Sequence, residues 1–190
     1  MHSSLVRVQN VFGFFTSVTF VVGALIALSA LLFPTEPGSV NIDVTNFRVS
    51  KGRVRQYHAT KPHELASVNF DLEADLNPLF NWNTKQVFAY VSVSYPGKKF
   101  SENEVVIWDR IITSSSKAKL RLKNQTPKYR IHDITGKISA RENVTLTFHW
   151  NVQPHVGALT WGSAAESEAF VLPAIGEKKP ASKPVVKKSS

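Results

Sequence analysis

The 190-residue sequence contains no cysteine. Disulfide frameworks, zinc–thiolate sites and cysteine nucleophiles are therefore excluded. An oxidising compartment is not excluded, because a domain of about 140 residues can be stable on its apolar core alone. The chain also lacks a phosphate-cradling glycine loop, a Gly-x-Ser-x-Gly turn and a His-Glu-x-x-His motif, so the common nucleotide-binding, hydrolase and metalloprotease signatures are missing.

Charged side chains are absent from residues 11–33, the only long apolar run in the chain. A helix of this length measures roughly 34 Å and spans a hydrocarbon core of about 30 Å. We therefore predict a transmembrane signal-anchor helix over residues 11–33, after a short cytosolic N-terminus over residues 1–10. The alternative is a cleaved signal peptide ending at Ala27-Leu28-Ser29, although the apolar run continues beyond that tripeptide to Phe33.

The charges that flank this run favour a cytosolic N-terminus. Arg7 precedes the run and two acidic residues, Glu36 and Asp43, follow it, as the positive-inside rule requires. Four basic residues between 48 and 55 weaken that signal. The domain that follows is therefore predicted to be luminal.

Two tripeptides match the acceptor pattern for N-glycosylation, which occurs in the secretory lumen. Asn143-Val144-Thr145 is the stronger candidate, and Asn124-Gln125-Thr126 is weakened by Pro127 directly after it. The alternative is that both are ordinary polar residues at strand edges.

Apolar and polar residues alternate with period two through much of residues 34–176, for example from Val68 to Leu76 and from Val144 to Trp150. This period is typical of strands with one buried face, and turn residues separate the runs. We predict an all-β domain, an antiparallel β-sandwich of six to eight short strands. His149 alternates with two aromatic residues and is expected to face outward or to border a partner.

The C-terminal segment, residues 177–190, holds five of the lysines that give the chain its net charge of +9. Its two prolines and few large apolar groups predict a disordered Lys/Pro-rich tail. Nucleic acid is a poor partner for a basic tail behind a membrane anchor. The final Lys187-Lys188-Ser189-Ser190 resembles a dilysine retrieval signal, which would matter only if the topology were reversed.

The spacing Ser-x-x-Lys occurs twice, at Ser114/Lys117 and at Ser116/Lys119. A Ser/Lys dyad needs the first turn of a helix to bring the two groups together, whereas these residues lie in a polar patch between two predicted strands. We predict no catalytic residues in this chain.

Candidate metal ligands are scattered over polar segments without a second cluster. They comprise His58, His63, Glu64 and the acidic strand residues Asp71, Glu73 and Asp75. Solvated surface explains them more simply, so we predict no metal site and no cofactor.

Small residues gather on one side of the predicted anchor helix: Gly13, Ser17, Gly23, Ala24 and Ala27. Small side chains allow helices in lipid to approach closely. We predict that this face packs against another membrane helix, the alternative being chance clustering in a span rich in alanine and glycine.

The apolar residues Leu79, Phe80 and Trp82 lie at a corner between two predicted strands. Two interpretations remain open for them. They are either a buried corner of the core or an exposed anchor for a partner, since tryptophan is enriched at binding hot spots.

Three segments together resemble a known family. These are Phe70–Phe88, which contains Asn81-Trp82-Asn83-Thr84-Lys85-Gln86, then Val105–Ile111, and Asn143–Pro154. Over the anchor and residues 40–172 the chain is similar to the signal peptidase complex subunit 3 family, the 22/23 kDa subunit.

The resemblance implies a single-pass type II protein of the endoplasmic reticulum membrane with a luminal β domain. It implies a non-catalytic member of a hetero-oligomer, which contacts membrane lipid and supports a separate catalytic subunit in removing signal peptides from nascent secretory and membrane proteins. The family's glycosylated asparagine falls on Asn143, and the extension after Gly176 departs from the animal pattern. Alternative functions are a membrane-tethered luminal binding module unrelated to proteolysis and an independent luminal hydrolase.

Overall fold

The computed structural model describes residues 3–52, 62–97, 100–176 and 178–180. These ranges contain one long helix and nine strands. The elements are α1 (Ser4–Ser29), β1 (Ser39–Gly52), β2 (His63–Asp75), β3 (Thr84–Tyr95), β4 (Asn103–Ile112), β5 (Lys119–Gln125), β6 (Ile131–His132), β7 (Thr145–Pro154), β8 (Thr160–Glu166) and β9 (Lys178–Pro180). The predicted all-β domain behind a single N-terminal helix is confirmed.

Helix α1 begins seven residues before the predicted span. The Ser3 hydroxyl oxygen accepts a hydrogen bond from the Leu5 N–H at 3.3 Å and caps the helix. A 3₁₀ turn, Ala30–Leu32, continues the helix after Ser29. Within the described residues, Ser4–Leu32 is the one helical stretch long and apolar enough to cross a membrane.

The strands form two antiparallel sheets. Sheet A has the order β5-β2-β1-β9, with β6 also paired to β2, and sheet B has the order β4-β3-β7-β8. Their inner faces enclose an apolar core in which Phe70 and Phe148 have no exposed surface, and Trp108 meets Phe70 edge to face at 6.1 Å. Each large side chain buried in this way contributes about 1.5–3 kcal/mol.

The sandwich has a helix-proximal end and a distal end. At the helix-proximal end the Trp150 Nε1–H donates to the Thr35 carbonyl at 3.1 Å, and the Gly38 N–H donates to the Asp75 carbonyl at 2.9 Å. These bonds fix the short connection between α1 and β1 onto the domain. The segments 76–83, 113–118 and 155–159 lie at this end, and the segment 133–143 lies at the distal end.

The start of the predicted disordered tail forms a short β-strand. Lys178–Pro180 pairs with Asn46–Arg48 as β9, because the outer edge of β1 offers unpaired backbone groups to the chain that follows Gly176. The Gly176 N–H donates to the Val49 carbonyl at 3.1 Å and leads the chain to that edge. The rest of the predicted tail, residues 181–190 and residue 177, lies outside the described residues.

Glu64 is not the solvated surface residue that the sequence suggested. It is 7% exposed, and one of its carboxylate oxygens accepts hydrogen bonds from the Ile138 and Ser139 N–H groups, both at 2.8 Å. Burial raises the pKa of Glu64, but these hydrogen bonds and the Lys137 ammonium together hold the pKa below its ordinary value. Glu64 therefore fastens the distal segment 133–143 to β2. His58 lies outside the described residues.

Glu64→Ala should lower the free energy of unfolding by about 2–4 kcal/mol, because the buried Ile138 N–H and the partly buried Ser139 N–H lose their acceptor. Glu73→Ala, an exposed carboxylate on the same strand, is the matched control and should change it by less than ~0.5 kcal/mol. Urea denaturation of the full chain in detergent, followed by tryptophan fluorescence, measures both.

Because the folded pKa of Glu64 lies below its unfolded value, its contribution is present at neutral pH and is lost as the pH falls below about 4.3. Equal destabilisation by the two substitutions at pH 7 would contradict this role for Glu64.

Candidate protein-interaction surface

Three rings stack across the outer face of sheet B. Phe88 and Tyr90 come from β3, with centroids 5.5 Å apart, and His149 of β7 lies 4.8 Å from Tyr90 with the two planes 11° apart. Tyr90 and His149 are direct cross-strand partners. The stack arises because β3 carries aromatic residues on its outer face as well as valines on its inner face.

The polar edge of the His149 ring is bound on the same face. Its Nε2 lies 2.8 Å from the Ser92 hydroxyl and 3.2 Å from a Glu104 carboxylate oxygen. Burial lowers the pKa of His149 and outweighs the opposing effect of Glu104, so the ring is neutral near pH 7. Burial, reinforced by Glu104, raises the pKa of Tyr90.

These residue types invite comparison with a catalytic triad, but their geometry differs from one. A triad uses the two ring nitrogens separately, one toward the serine and the other toward the acid. Here Ser92 and Glu104 share a single nitrogen of His149, and Ser92 has no exposed surface. The arrangement fixes the orientation of the ring and lacks the relay geometry of a triad.

Exposed aliphatic side chains flank the stack. Ile111, 57% exposed, is paired across strands with Phe88, and Val106, 38% exposed, is paired with Ser92. We use the term sheet B patch for Phe88, Tyr90, Val106, Ile111 and His149. An aromatic and aliphatic surface held by a rigid sheet is suited to binding another protein.

A strip of amides borders the sheet B patch toward the helix-proximal end. The Gln86 Nε2 donates to the Gln153 Oε1 at 2.6 Å, and the Gln153 Nε2 donates to the Asn151 Oδ1 at 3.1 Å. Asn151 in turn donates to the Thr160 carbonyl. These bonds join β3, β7 and β8 on the outer face.

The three residues of the predicted corner, Leu79, Phe80 and Trp82, differ in their burial. Leu79 is 1% exposed and belongs to the core, because the 3₁₀ turn Asn77–Leu79 directs it inward. Phe80 is partly buried against the core, and Trp82 is 62% exposed. Only Trp82 offers a large surface to a partner, and the anchor role of this corner stays a prediction.

The small residues of α1 are mostly exposed, as a helix-packing face requires. The Ser17 hydroxyl donates to the Gly13 carbonyl at 3.1 Å, within the same helix. Gly23 and Ala27 are partly buried, and Gly157 of the β7–β8 connection approaches Ala27. Packing of this face, including Ala24, against another membrane helix stays a prediction.

The remaining candidates have local hydrogen-bonding roles. The hydrogen bond of the Ser114 hydroxyl is with Ser116 at 2.8 Å. Asp71 accepts from the Thr45 hydroxyl and the Asn124 N–H, and Asp75 accepts from Asn77. Within the described ranges, no group of three or more His, Asp or Glu residues is arranged to hold a metal ion.

The two candidate glycosylation residues differ in their surroundings. Asn143 is exposed, has a positive φ of 53° and precedes β7 at the distal end, remote from α1. Asn124 is exposed as well, but its side-chain oxygen accepts from Asn69 at 3.0 Å.

Of the sheet B patch, sequence reasoning anticipated only the outward position of His149. The signal for the patch was the dense apolar run over residues 87–93, in which aromatic residues occupy positions 88 and 90 between buried valines. A strand that is apolar on both faces indicates that both faces are covered in the working molecule. Ile111 and Val106 gave no such signal, because only the pairing of β4 with β3 brings them beside the stack.

The similarity to known proteins covers the helix and nearly all of the β domain. A family model described as "Signal peptidase subunit" matches residues 1–175, which include α1 and the strands through β8. Signal peptidase complex subunit 3 of Yarrowia lipolytica is 37% identical over 172 residues, covering 86% of this chain and 92% of that protein.

Two further proteins of the same name give similar values. That of Saccharomyces cerevisiae is 37% identical over 169 residues, covering 85% of this chain and 91% of its own. That of Homo sapiens is 35% identical over 165 residues, covering 84% and 87%. A match to the family model over residues 1–175 and this degree of identity establish that the chain belongs to the signal peptidase subunit family.

Proposed function

We propose that this protein is a non-catalytic subunit of a signal peptidase complex, which supports and positions the catalytic subunit for removal of N-terminal signal peptides. The observation that carries the proposal is the similarity, over nearly their whole length, to proteins named signal peptidase complex subunit 3. The shared nitrogen of His149 supports the non-catalytic part, because Glu104 meets the same ring nitrogen as Ser92, whereas the acid of a triad binds the other one.

The sheet B patch is the proposed contact for the catalytic subunit. Its rings are already stacked and the Nε2 of His149 already has polar partners, so binding would cost little side-chain entropy. Sheet B also lies beside the anchor, since Trp150 of β7 is bonded to the connection after α1. A partner on this patch would therefore be held at a constant distance from the membrane.

We further propose a single-pass type II orientation in the endoplasmic reticulum membrane, with the β domain luminal. Arg7 on the short side of α1 supports a cytosolic N-terminus. Asn143 supports a luminal domain, because it is exposed at the distal end. The ten residues of β7 separate it from the helix-proximal end, which at ~3.3 Å per residue is roughly 30 Å.

Val106→Glu combined with Ile111→Glu should reduce recovery of the catalytic subunit on affinity purification of the full-length chain in detergent. Burying two carboxylates in an apolar contact costs several kcal/mol, which corresponds to at least a tenfold loss. Ile134→Glu is the matched control, because Ile134 is 72% exposed but lies at the distal end. Unchanged recovery with both variants, or an equal loss with both, would contradict the assignment of this patch.

Asn143→Gln should abolish one glycan, detected as loss of the mobility shift that endoglycosidase H produces with the wild-type chain. Asn124→Gln should leave that shift in place. A wild-type chain that is insensitive to the enzyme would contradict the proposed luminal site, and a shift that survives Asn143→Gln but not Asn124→Gln would assign the glycan to the other residue.

A further inference from the structure

The β7–β8 connection, residues 155–159, lies directly against the membrane-crossing helix. A Cβ atom built on Gly157 would lie 3.4 Å from the Ala27 Cα and 3.5 Å from the Ala27 Cβ. Gly157 has a φ of +125°, a conformation that favours glycine. The loop therefore meets the helix through backbone, without an intervening side chain.

Hydrogen bonds from Asn83 hold this loop in shape. Asn83 is 3% exposed; its side-chain nitrogen donates to the Val156 carbonyl at 2.8 Å, and its side-chain oxygen accepts from the Val156 N–H at 3.2 Å. The His155 N–H donates to the Asn83 carbonyl at 2.8 Å. The loop is thus fastened to the corner before β3 on one side and touches α1 on the other.

The outer surface of this braced loop and of the start of β8 is apolar. Residues 156–161 read Val-Gly-Ala-Leu-Thr-Trp and carry no charge. Val156 is 40% exposed, Leu159 46% and Trp161 67%. Trp82, which precedes Asn83, is 62% exposed at the same end. We use the term proximal rim for Trp82, Val156, Leu159 and Trp161.

The depth of the loop along α1 decides what surrounds the proximal rim. Ala27, the residue that Gly157 approaches, lies six residues before Phe33, where the apolar run ends. With a rise of ~1.5 Å per α-helical and ~2 Å per 3₁₀ residue, Ala27 is roughly 10 Å below that end. If the apolar run fills the bilayer core, Gly157 lies below the headgroups.

From this depth and the composition of the rim we infer that the β7–β8 loop inserts into the adjacent leaflet, with a phospholipid bilayer as the ligand of the proximal rim. Interfacial segments bury their apolar faces ~5–10 Å into the headgroup and acyl boundary, which matches the position of the loop. Tryptophan is enriched at that boundary. Lys85 and Lys117 are exposed at the same end and can direct their ammonium groups to lipid phosphates.

The β domain then has two membrane attachments, α1 and the proximal rim, instead of one. A single helix fixes the distance of a domain from the bilayer but leaves its tilt free. A second point of contact beside the helix restricts the tilt. The inference rests on α1 crossing the bilayer and not on the proposed function, so it holds or fails independently of the catalytic partner.

Because the chain has no cysteine, single-cysteine labelling tests the inference directly. Leu159→Cys in the full-length chain is labelled with a nitrobenzoxadiazole probe and reconstituted into phosphatidylcholine nanodiscs, in which both membrane faces are open to solvent. Its fluorescence is quenched by nitroxide attached to an acyl chain or by aqueous iodide. We expect strong quenching by the nitroxide lipid and several-fold weaker quenching by iodide than at the control position.

Ile134→Cys is the control, because Ile134 is exposed and apolar but distal; it should be quenched by iodide and not by the nitroxide lipid. Val156→Cys provides a second rim position if Leu159→Cys changes the thermal melting of the domain. Iodide quenching at both rim positions equal to that at residue 134 would overturn the inference. Protection from iodide without quenching by the lipid would also overturn it, since protein rather than lipid would then cover the rim.

Discussion

The hydrogen bond from the Trp150 indole to the Thr35 carbonyl, 3.1 Å long, joins the core of the sandwich to the chain that leaves helix α1. Six residues, 33–38, separate the end of the 3₁₀ turn from β1, and two of them are proline. The Gly38 N–H bond to Asp75 fixes the other end of this connection. With Gly157 against Ala27, the β domain contacts both the helix and the connection, so its position relative to the membrane follows from the chain's own contacts.

A fixed position is what a supporting subunit of a membrane-bound peptidase would require. A cleavage site at the edge of a bilayer must be presented within a narrow range of heights, and displacements of ~1 Å can cost on the order of 100-fold in rate. Under the proposed function, the sheet B patch would hold the catalytic partner while the proximal rim would hold the bilayer. The amide strip from Gln86 to Asn151 lies between the sheet B patch and the helix-proximal end. It joins β3 and β7, the two strands that carry the stacked rings of the patch.

The sequence predicted the fold well because period-two patterning reports burial directly. In β2 the residues from Val68 to Asp75 alternate between buried positions and partly or fully exposed ones, as the pattern required. The pattern failed at Glu64, where a carboxylate occupies a buried position, because the N–H groups that donate to it, at 138 and 139, are more than seventy residues away in the chain. The pattern also failed for β9, because this lysine-rich segment does not alternate between apolar and polar residues. It forms a strand because β1 offers a free edge with which it pairs.

The surfaces were less accessible to sequence reasoning than the core. Leu79 and Trp82 lie three residues apart and received the same interpretation, yet Leu79 is buried and Trp82 is exposed, since the 3₁₀ turn that ends at Leu79 directs only that side chain into the core. The proximal rim combines residues 82 and 156–161, which the pairing of β3 with β7 and the Asn83 hydrogen bonds bring together. No local pattern encodes such a meeting of distant segments.

The central claim is that the junction holds the β domain at a constant height and tilt. Inserting six Gly/Ser residues between Pro37 and Gly38 tests it, because the insertion frees the domain from the helix without altering the core or the sheet B patch. The measurement is the rate of signal-peptide cleavage by the complex reconstituted with this variant, with subunit recovery and domain melting as controls. The account predicts a complete complex that cleaves at least tenfold more slowly. Cleavage at the wild-type rate by a fully assembled complex would contradict it.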